Sequence, residues 1–173
     1  KVARTLGLPY PGGAHLDRLA HEGDPDAIAF PRVHFDGAPF DFSFSGVKTA
    51  VINYLHTLSQ KGQTPNKADV AASFSRAVCD VLVEKLTAAA LSRGVRKTAI
   101  AGGVAANSML RERLAAACEQ KGLTLFVPPL SLCGDNAAMV ACQGYYEAEK
   151  GHFADLSLNG YAVKSLEENP PSL

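Results

Sequence analysis

The sequence predicts an α/β fold built on a mixed sheet, and three observations carry that prediction. Residues 33–35 and 40–44 alternate apolar and polar side chains on either side of Asp36-Gly37, as a β-hairpin would. Residues 47–58 and 68–93 repeat apolar side chains at helical spacing. From residue 97 an apolar run, a helical stretch, a second apolar run and a second helical stretch follow in order, the pattern of strands joined by a crossover helix.

Taken in order, residues 1–6 read as the last turns of a helix that Gly7 stops. Residues 8–13, Leu-Pro-Tyr-Pro-Gly-Gly, are expected as a loop, because Pro11 fixes φ and Gly12 and Gly13 permit conformations closed to other residues. A short helix is expected over residues 15–20, with Asp17 near its start, followed by a polar connection to Pro31. After the hairpin, Ser45-Gly46 leads into the helix of residues 47–58, where Val47, Val51, Tyr54 and Leu55 share a face. Residues 60–67 carry Gly62 and Pro65 and form an exposed loop. The longest helix, residues 68–93, turns Val70, Phe74, Val78, Val81, Leu82, Leu86 and Ala89 inward and ends at Gly94. Residues 97–101 are a buried strand ending at Gly102-Gly103, and Asn107 and Ser108 offer N-caps to a helix over 107–120. Residues 123–127 are a second buried strand, stopped by Pro128-Pro129. A loop over 130–136 and a helix over 136–149 follow, and the polar tail from Gly151 is expected to be partly disordered.

Composition narrows the function. Lys plus Arg and Asp plus Glu both number 17, so net charge is zero. Proteins that grip nucleic acid through their own phosphate contacts are usually basic, so an RNA substrate here would need a local patch or a partner. Three of the four cysteines (Cys79, Cys118, Cys133, Cys142) sit in apolar helical patterns and none forms Cys-x-x-Cys; they are expected as reduced core thiols, which suits a cytoplasmic protein. No signal peptide and no apolar run long enough to span a bilayer occurs in the sequence. The chain begins without methionine and inside a helical pattern, so a preceding segment is expected.

Five places could carry chemistry. Gly102-Gly103 between a strand and a helix start is either a plain tight turn or a place where backbone approaches a nucleotide. Asn107 beside it is either a helix cap or a carboxamide for a sugar hydroxyl or base edge. Gly12, Gly13 and Asp17 form either a bare loop or a nucleoside contact in which the Asp17 carboxylate accepts from ribose hydroxyls. Asp135, in Leu-Cys-Gly-Asp-Asn-Ala-Ala-Met, either caps the last helix or binds a metal or phosphate. Ser43, Ser45 and Lys48 could face an anion or simply end a strand; Gly-x-x-x-x-Gly-Lys-Ser/Thr is absent. The five histidines show no His-x-x-x-His spacing, and no Gly-x-Ser-x-Gly nucleophile motif is present.

Leu-Pro-Tyr-Pro-Gly-Gly, Phe-Asp-Phe-Ser-Phe-Ser-Gly-Val-Lys-Thr, Ala-Gly-Gly-Val-Ala-Ala-Asn-Ser and Leu-Cys-Gly-Asp-Asn-Ala-Ala-Met occur in this order over residues 1 to about 151. Together they resemble the bacterial TsaD family, tRNA threonylcarbamoyladenosine transferases once described as sialoglycoprotein endopeptidases. The resemblance implies the two-lobed fold of actin, hexokinase and Hsp70 (the ASKHA fold). It implies transfer of threonylcarbamoyl from threonylcarbamoyl-AMP to the exocyclic amine of the adenosine that follows the tRNA anticodon. By motif, Gly13, Asp17 and Asn107 take the places that hold the adenylate nucleoside, and Asp135 that of a ligand to a divalent metal, iron or zinc. It further implies TsaB and TsaE as partner proteins.

The family's His-x-x-x-His metal helix and its glycine-rich substrate loop do not occur in the sequence. The resemblance therefore places residues 1–130 in the second lobe, 131–150 in the metal-Asp loop and returning helix, and 151–173 in a polar tail, with the N-terminal lobe largely missing. The isolated chain is expected to be a fragment with little or no transferase activity and to self-associate through the face left open. Two alternatives stand beside this: an ATPase or kinase of the same fold, and a non-catalytic nucleotide-binding lobe.

Overall fold

The computed structural model describes residues 1–160. The chain forms α1 (Val2–Thr5), α2 (Gly12–Ala20), α3 (Ser45–Gln60), α4 (Lys67–Ser92), β1 (Lys97–Ala99), a 3-10 turn at Gly103–Ala106, α5 (Ser108–Gln120), β2 (Thr124–Phe126), a 3-10 turn at Leu130–Leu132, and α6 (Ala137–Glu149). Lys1–Asp135 is one compact unit, and a second begins at Asn136.

Helix α4 is the spine of the first unit. Its 26 residues make a rod about 39 Å long. Asn66 starts it: the side-chain oxygen accepts from the amides of Ala68 and Asp69, while its Nδ2 donates to the Asp69 carboxylate. Gly94, at φ +66°, ends it, and the amide of Val95 returns to the carbonyl of Ala90. The N-terminal half packs Val70, Ala71, Ala72 and Ala77 against Val2 and Leu6, Ala20 of α2, and Val47 and Val51 of α3. Farther along, Cys79 packs with Leu110 and Leu114 of α5, and Ala90 with Cys118 and Leu123.

The predicted stripe on α4 is present but too narrow. Ser73, Ser75 and Ala77 are buried as well, because partners lie on more than one side and small side chains let them approach closely. Ser73 remains satisfied in the core: its hydroxyl donates to the carbonyl of Asp24 and accepts from the amide of Ile28.

Strands β1 and β2 pair in parallel, Lys97 with Thr124, Thr98 with Leu125 and Ala99 with Phe126. Thr98 is buried, and its hydroxyl donates to the carbonyl of Thr124. The α/β class therefore holds, but the sheet among the described residues is a two-stranded parallel pair and not a mixed one.

The predicted hairpin is not formed. Residues 33–44 contain the expected turn, with Gly37 at φ +76° and the amide of Ala38 on the carbonyl of Phe35, but no strand on either side. Pro31 and Pro39 lack amide donors for a ladder. Side chains of α4 strap the segment down: Asp80 takes the Arg32 guanidinium at 2.7 Å, Glu84 lies 3.6 Å from His34, and the Lys85 ammonium donates to the carbonyl of Pro39.

Gly12 and Gly13 open α2 and do not belong to the preceding loop; a Cβ on Gly12 would lie 2.5 Å from that of Ala3, so this glycine serves close packing. The cap of α6 is Asn136, whose side-chain oxygen accepts from the amide of Met139, so Asp135 does not fill the cap role. Cys79, Cys118 and Cys133 are buried thiols, but Cys142 on α6 is exposed and is not a core cysteine. No helix of the described residues is long and apolar enough to cross a membrane. The tail expected to be partly disordered begins at Gly151, and its residues 161–173 lie outside the described residues.

Candidate functional site

A cleft of about 960 Å³ opens over the middle of α4, between α2 and the start of α5. Its floor is apolar, formed by Phe74, Val78 and Leu82 of α4 with Leu110, and Val104 and Leu130 stand at its sides. Gly13 and Gly103 line it as bare backbone, and a Cβ on either would meet nothing within 4 Å. Asp17, Arg18, His21 and Asn107 supply its polar groups. The volume and the balance of apolar wall with a few convergent polar groups are those of a small-molecule site.

The turn after β1 is built as its glycines require. Gly102 sits at φ +78°, a conformation closed to side chains with a Cβ, and Gly103–Ala106 then makes one 3-10 turn before Asn107 starts α5. Asn107 Oδ1 accepts from the amide of Leu110 at 2.8 Å, which identifies it as the cap oxygen. The Cys79 thiol donates to the same oxygen at 3.6 Å. Asn107 Nδ2 donates to Asp17 Oδ1 at 2.6 Å. The Asn107 oxygen is thus committed to the fold, and Asn107 Nδ2 has a second amide hydrogen beyond the one given to Asp17.

Asp17 reaches from α2 to the start of α5. Its Oδ1 accepts from Ser108 Oγ at 3.0 Å and from the Ser108 amide at 3.2 Å, in addition to Asn107. A carboxylate at a helix N-terminus is favoured by the unpaired amides and the helix dipole. His21, one turn beyond Asp17, places Nε2 2.8 Å from Ser108 Oγ.

Burial pushes the Cys79 thiol up from its ordinary 9.0 to about 12; Arg113 pulls it down, and Asp80 and Asp17 push it up further. The thiol lining the cleft is thus protonated at neutral pH and is a poor nucleophile. Beneath the cleft, Arg111 braces the turn. Its Nε donates to the carbonyl of Ala105 at 2.6 Å and its terminal nitrogen to that of Pro128 at 2.7 Å. The same terminal nitrogen lies 3.2 Å from the Cys133 sulfur, so one guanidinium ties the glycine turn to the loop after β2.

Of the residues singled out in the sequence, Gly13, Asp17 and Asn107 come together on this cleft, and Asp135 does not line it. Asp135 is exposed, and no group of three His, Cys, Asp or Glu side chains able to hold a metal occurs among the described residues. The residues present do not by themselves fit a metal ion. Ser43, Ser45 and Lys48 lie outside the cleft; the Ser43 hydroxyl accepts from the amide of Ser45 as α3 begins. Sequence reasoning missed Arg18, His21 and the bracing role of Arg111. The four-residue step from Asp17 to His21, which puts both on one helical face, was the signal available for His21.

These features define an α/β domain with a small-molecule cleft set against a helix N-terminus. The family model described as TsaD, tRNA N6-adenosine threonylcarbamoyltransferase, matches residues 1–142, and the chain belongs to this family. A curated relative of that name from Moorella thermoacetica is 58% identical over 159 residues, covering 92% of this chain and 46% of the relative. Relatives of the same name from Clostridium botulinum (strain Kyoto / Type A2) and Staphylococcus saprophyticus are 51% and 50% identical over 96% and 97% of this chain. The chain spans about half the length of these relatives, 46–49%.

Proposed function

We propose that this chain forms the nucleoside-binding part of a tRNA N6-adenosine threonylcarbamoyltransferase, and that the cleft over α4 takes the adenylate half of threonylcarbamoyl-AMP. The observation that carries the reading is the convergence of Gly13, Asp17 and Asn107 on one cleft, although Asn107 lies 90 residues from Asp17 in the chain. In this reading the ribose hydroxyls donate to Asp17 and the remaining Asn107 amide hydrogen donates to the sugar or base. The flat base lies on Phe74, Val78 and Leu82, and the backbone at Gly13 and Gly103 lets the ligand approach closely. Arg18 is the cation available to the phosphate.

The chemistry suits such a site. The donor is a mixed anhydride, so its carbonyl is already activated. The acceptor amine attacks that carbonyl, the C–O bond to the phosphate breaks, and AMP leaves with the bonding pair while the amine gives its proton to solvent water. Holding the adenylate against the acceptor supplies the orientation this step needs. No covalent protein intermediate is required, in keeping with the protonated Cys79 thiol. Asp135 is proposed as one carboxylate toward a divalent metal, iron or zinc; with a single donor present, no step is assigned to that ion.

The finer organisation is proposed on the same basis. Residues 1–130 form the second lobe of an ASKHA-type fold, 131–150 the loop bearing Asp135 and its returning helix, and 151–173 a tail. The substrate is tRNA, the partners are proteins of the TsaB and TsaE type, and the setting is cytoplasmic.

Calorimetric titration of the purified chain with AMP tests the reading. Saturable binding that Asn107→Ala weakens at least tenfold is the expected result. A chain that shows no saturable binding of AMP overturns it. With threonylcarbamoyl-AMP supplied, the chain alone is expected to modify tRNA little or not at all.

A further inference from the structure

The hydrogen bonds at Asp17 are unequally shared between its two oxygens. Oδ1 receives three donors, Asn107 Nδ2, Ser108 Oγ and the Ser108 amide, whereas Oδ2 accepts only one long hydrogen bond, at 3.4 Å, from that same shared amide. Ser108 Oγ has two neighbours, Asp17 Oδ1 at 3.0 Å and His21 Nε2 at 2.8 Å. A hydroxyl carries one hydrogen and a carboxylate only accepts. The hydroxyl hydrogen therefore goes to Asp17, and Oγ accepts from His21, whose Nε2 must carry a hydrogen. The bonds run in one direction, from His21 through Ser108 to Asp17.

We infer that Ser108, backed by His21, is a positioning residue that pins Asp17 through Oδ1 and leaves Oδ2 free to accept from the vicinal hydroxyls of a ribose. The inference rests on the nucleoside reading of the cleft and adds a determinant of sugar specificity to it. Without the Ser108 hydroxyl, the amides of Asn107 and Ser108 still hold the carboxylate, but one restraint on its rotation is gone. Its second oxygen then no longer has a fixed place relative to the sugar. The sequence signature is the pair Asp-x-x-x-His at residues 17–21 and Asn-Ser at 107–108.

The test compares adenosine with 2′,3′-dideoxyadenosine, which lacks both hydroxyls, by calorimetry on the full 173-residue chain. The wild-type chain is expected to prefer adenosine. Ser108→Ala keeps the backbone amide and suits the first turn of a helix. It should weaken adenosine binding by about tenfold, the value of one hydrogen bond to a charged acceptor, and barely affect the dideoxy compound. Ser108→Thr restores the hydroxyl and should restore the preference. If Ser108→Ala weakens both nucleosides equally, or leaves the preference intact, the positioning role is overturned while the nucleoside site stands. If the wild-type chain binds neither compound, the nucleoside reading falls and the inference with it. A second measurement needs no ligand: nitrogen–proton NMR of the His21 ring should find the hydrogen on Nε2. A neutral ring protonated only at Nδ1 overturns the relay.

Discussion

At the scale of single residues, Asn107 shows how one side chain can serve fold and site together. Its oxygen caps α5 and its nitrogen meets Asp17 at 2.6 Å. Asp is as good a helix cap as Asn, so Asn107→Asp should be mild if capping were the whole role. It would, however, place a second carboxylate oxygen against Asp17 in place of a donor, and two carboxylates that close cannot both ionise comfortably. We therefore expect Asn107→Asp to destabilise by about 2 kcal/mol at neutral pH, more than the about 1 kcal/mol of Asn107→Ala. Urea unfolding should show the order reversing in acid, where the added carboxyl is neutral. Cys79 gives a second prediction of the same pH sense, in a more alkaline window. Its thiol titrates near 9.0 when unfolded and near 12 when folded, so the unfolded chain loses this proton first. Its contribution to stability is complete below pH 9 and is lost as pH rises toward 12. Unfolding free energy should fall across that window, and Cys79→Ser should flatten the fall.

At the scale of elements, α4 organises more than its apolar stripe announces. Asp80 is ringed by guanidiniums: Arg32 at 2.7 Å, Arg76 at 3.2 Å, and Arg113 of α5. One carboxylate thus joins the 31–39 segment, α4 and α5. Asp80→Asn leaves three cations clustered without their counter-charge. We expect a loss of about 2 kcal/mol, limited because every member is partly solvated, and greater in low salt than in high salt. Gly23 marks a second tight contact. A Cβ there would lie 2.2 Å from the backbone of Ala68 at the start of α4, and backbone cannot swing aside as a flexible side chain can. Gly23→Ala should cost about 3 kcal/mol, read as a lower urea midpoint. The same element shows what local pattern conveys and what it does not. Helical periodicity located α3, α4 and α5 within about two residues, because burying one face imposes a spacing on the chain. It misjudged residues 33–44, whose alternation resembles a strand but whose conformation is set by Asp80, Glu84 and Lys85, some 45 residues away. It also misjudged Gly12, a glycine used for packing against Ala3 in a setting that reads as a loop.

At the scale of the whole chain, the candidate site was legible as separate motifs but not as a geometry. Gly13, Asp17 and Asn107 could be named from sequence, since each sits in a stretch with its own local signal. That Ser108 and His21 complete the arrangement could not, because the contact joins α2 to α5 across about 90 residues. What brings those elements together is α4, which packs α1, α2 and α3 along its first half and α5 and the strands along its second. A helix continuous through both clusters cannot lose one half without loosening the other, so the unit Lys1–Asp135 should unfold in one cooperative step. Two substitutions at opposite ends probe this. Val51 is fully buried in the first cluster, and Leu114 is 1% exposed in the second. Leu114→Ala should cost about 3 kcal/mol and Val51→Ala about 2 kcal/mol. If α4 couples the clusters, each substitution shifts one common transition, whether followed by helix content or by the opening of the buried Cys79 thiol to a labelling reagent as the chain unfolds. Separate transitions, with Val51→Ala moving only one of them, would show instead that the two halves fold apart and that the cleft is assembled where they meet.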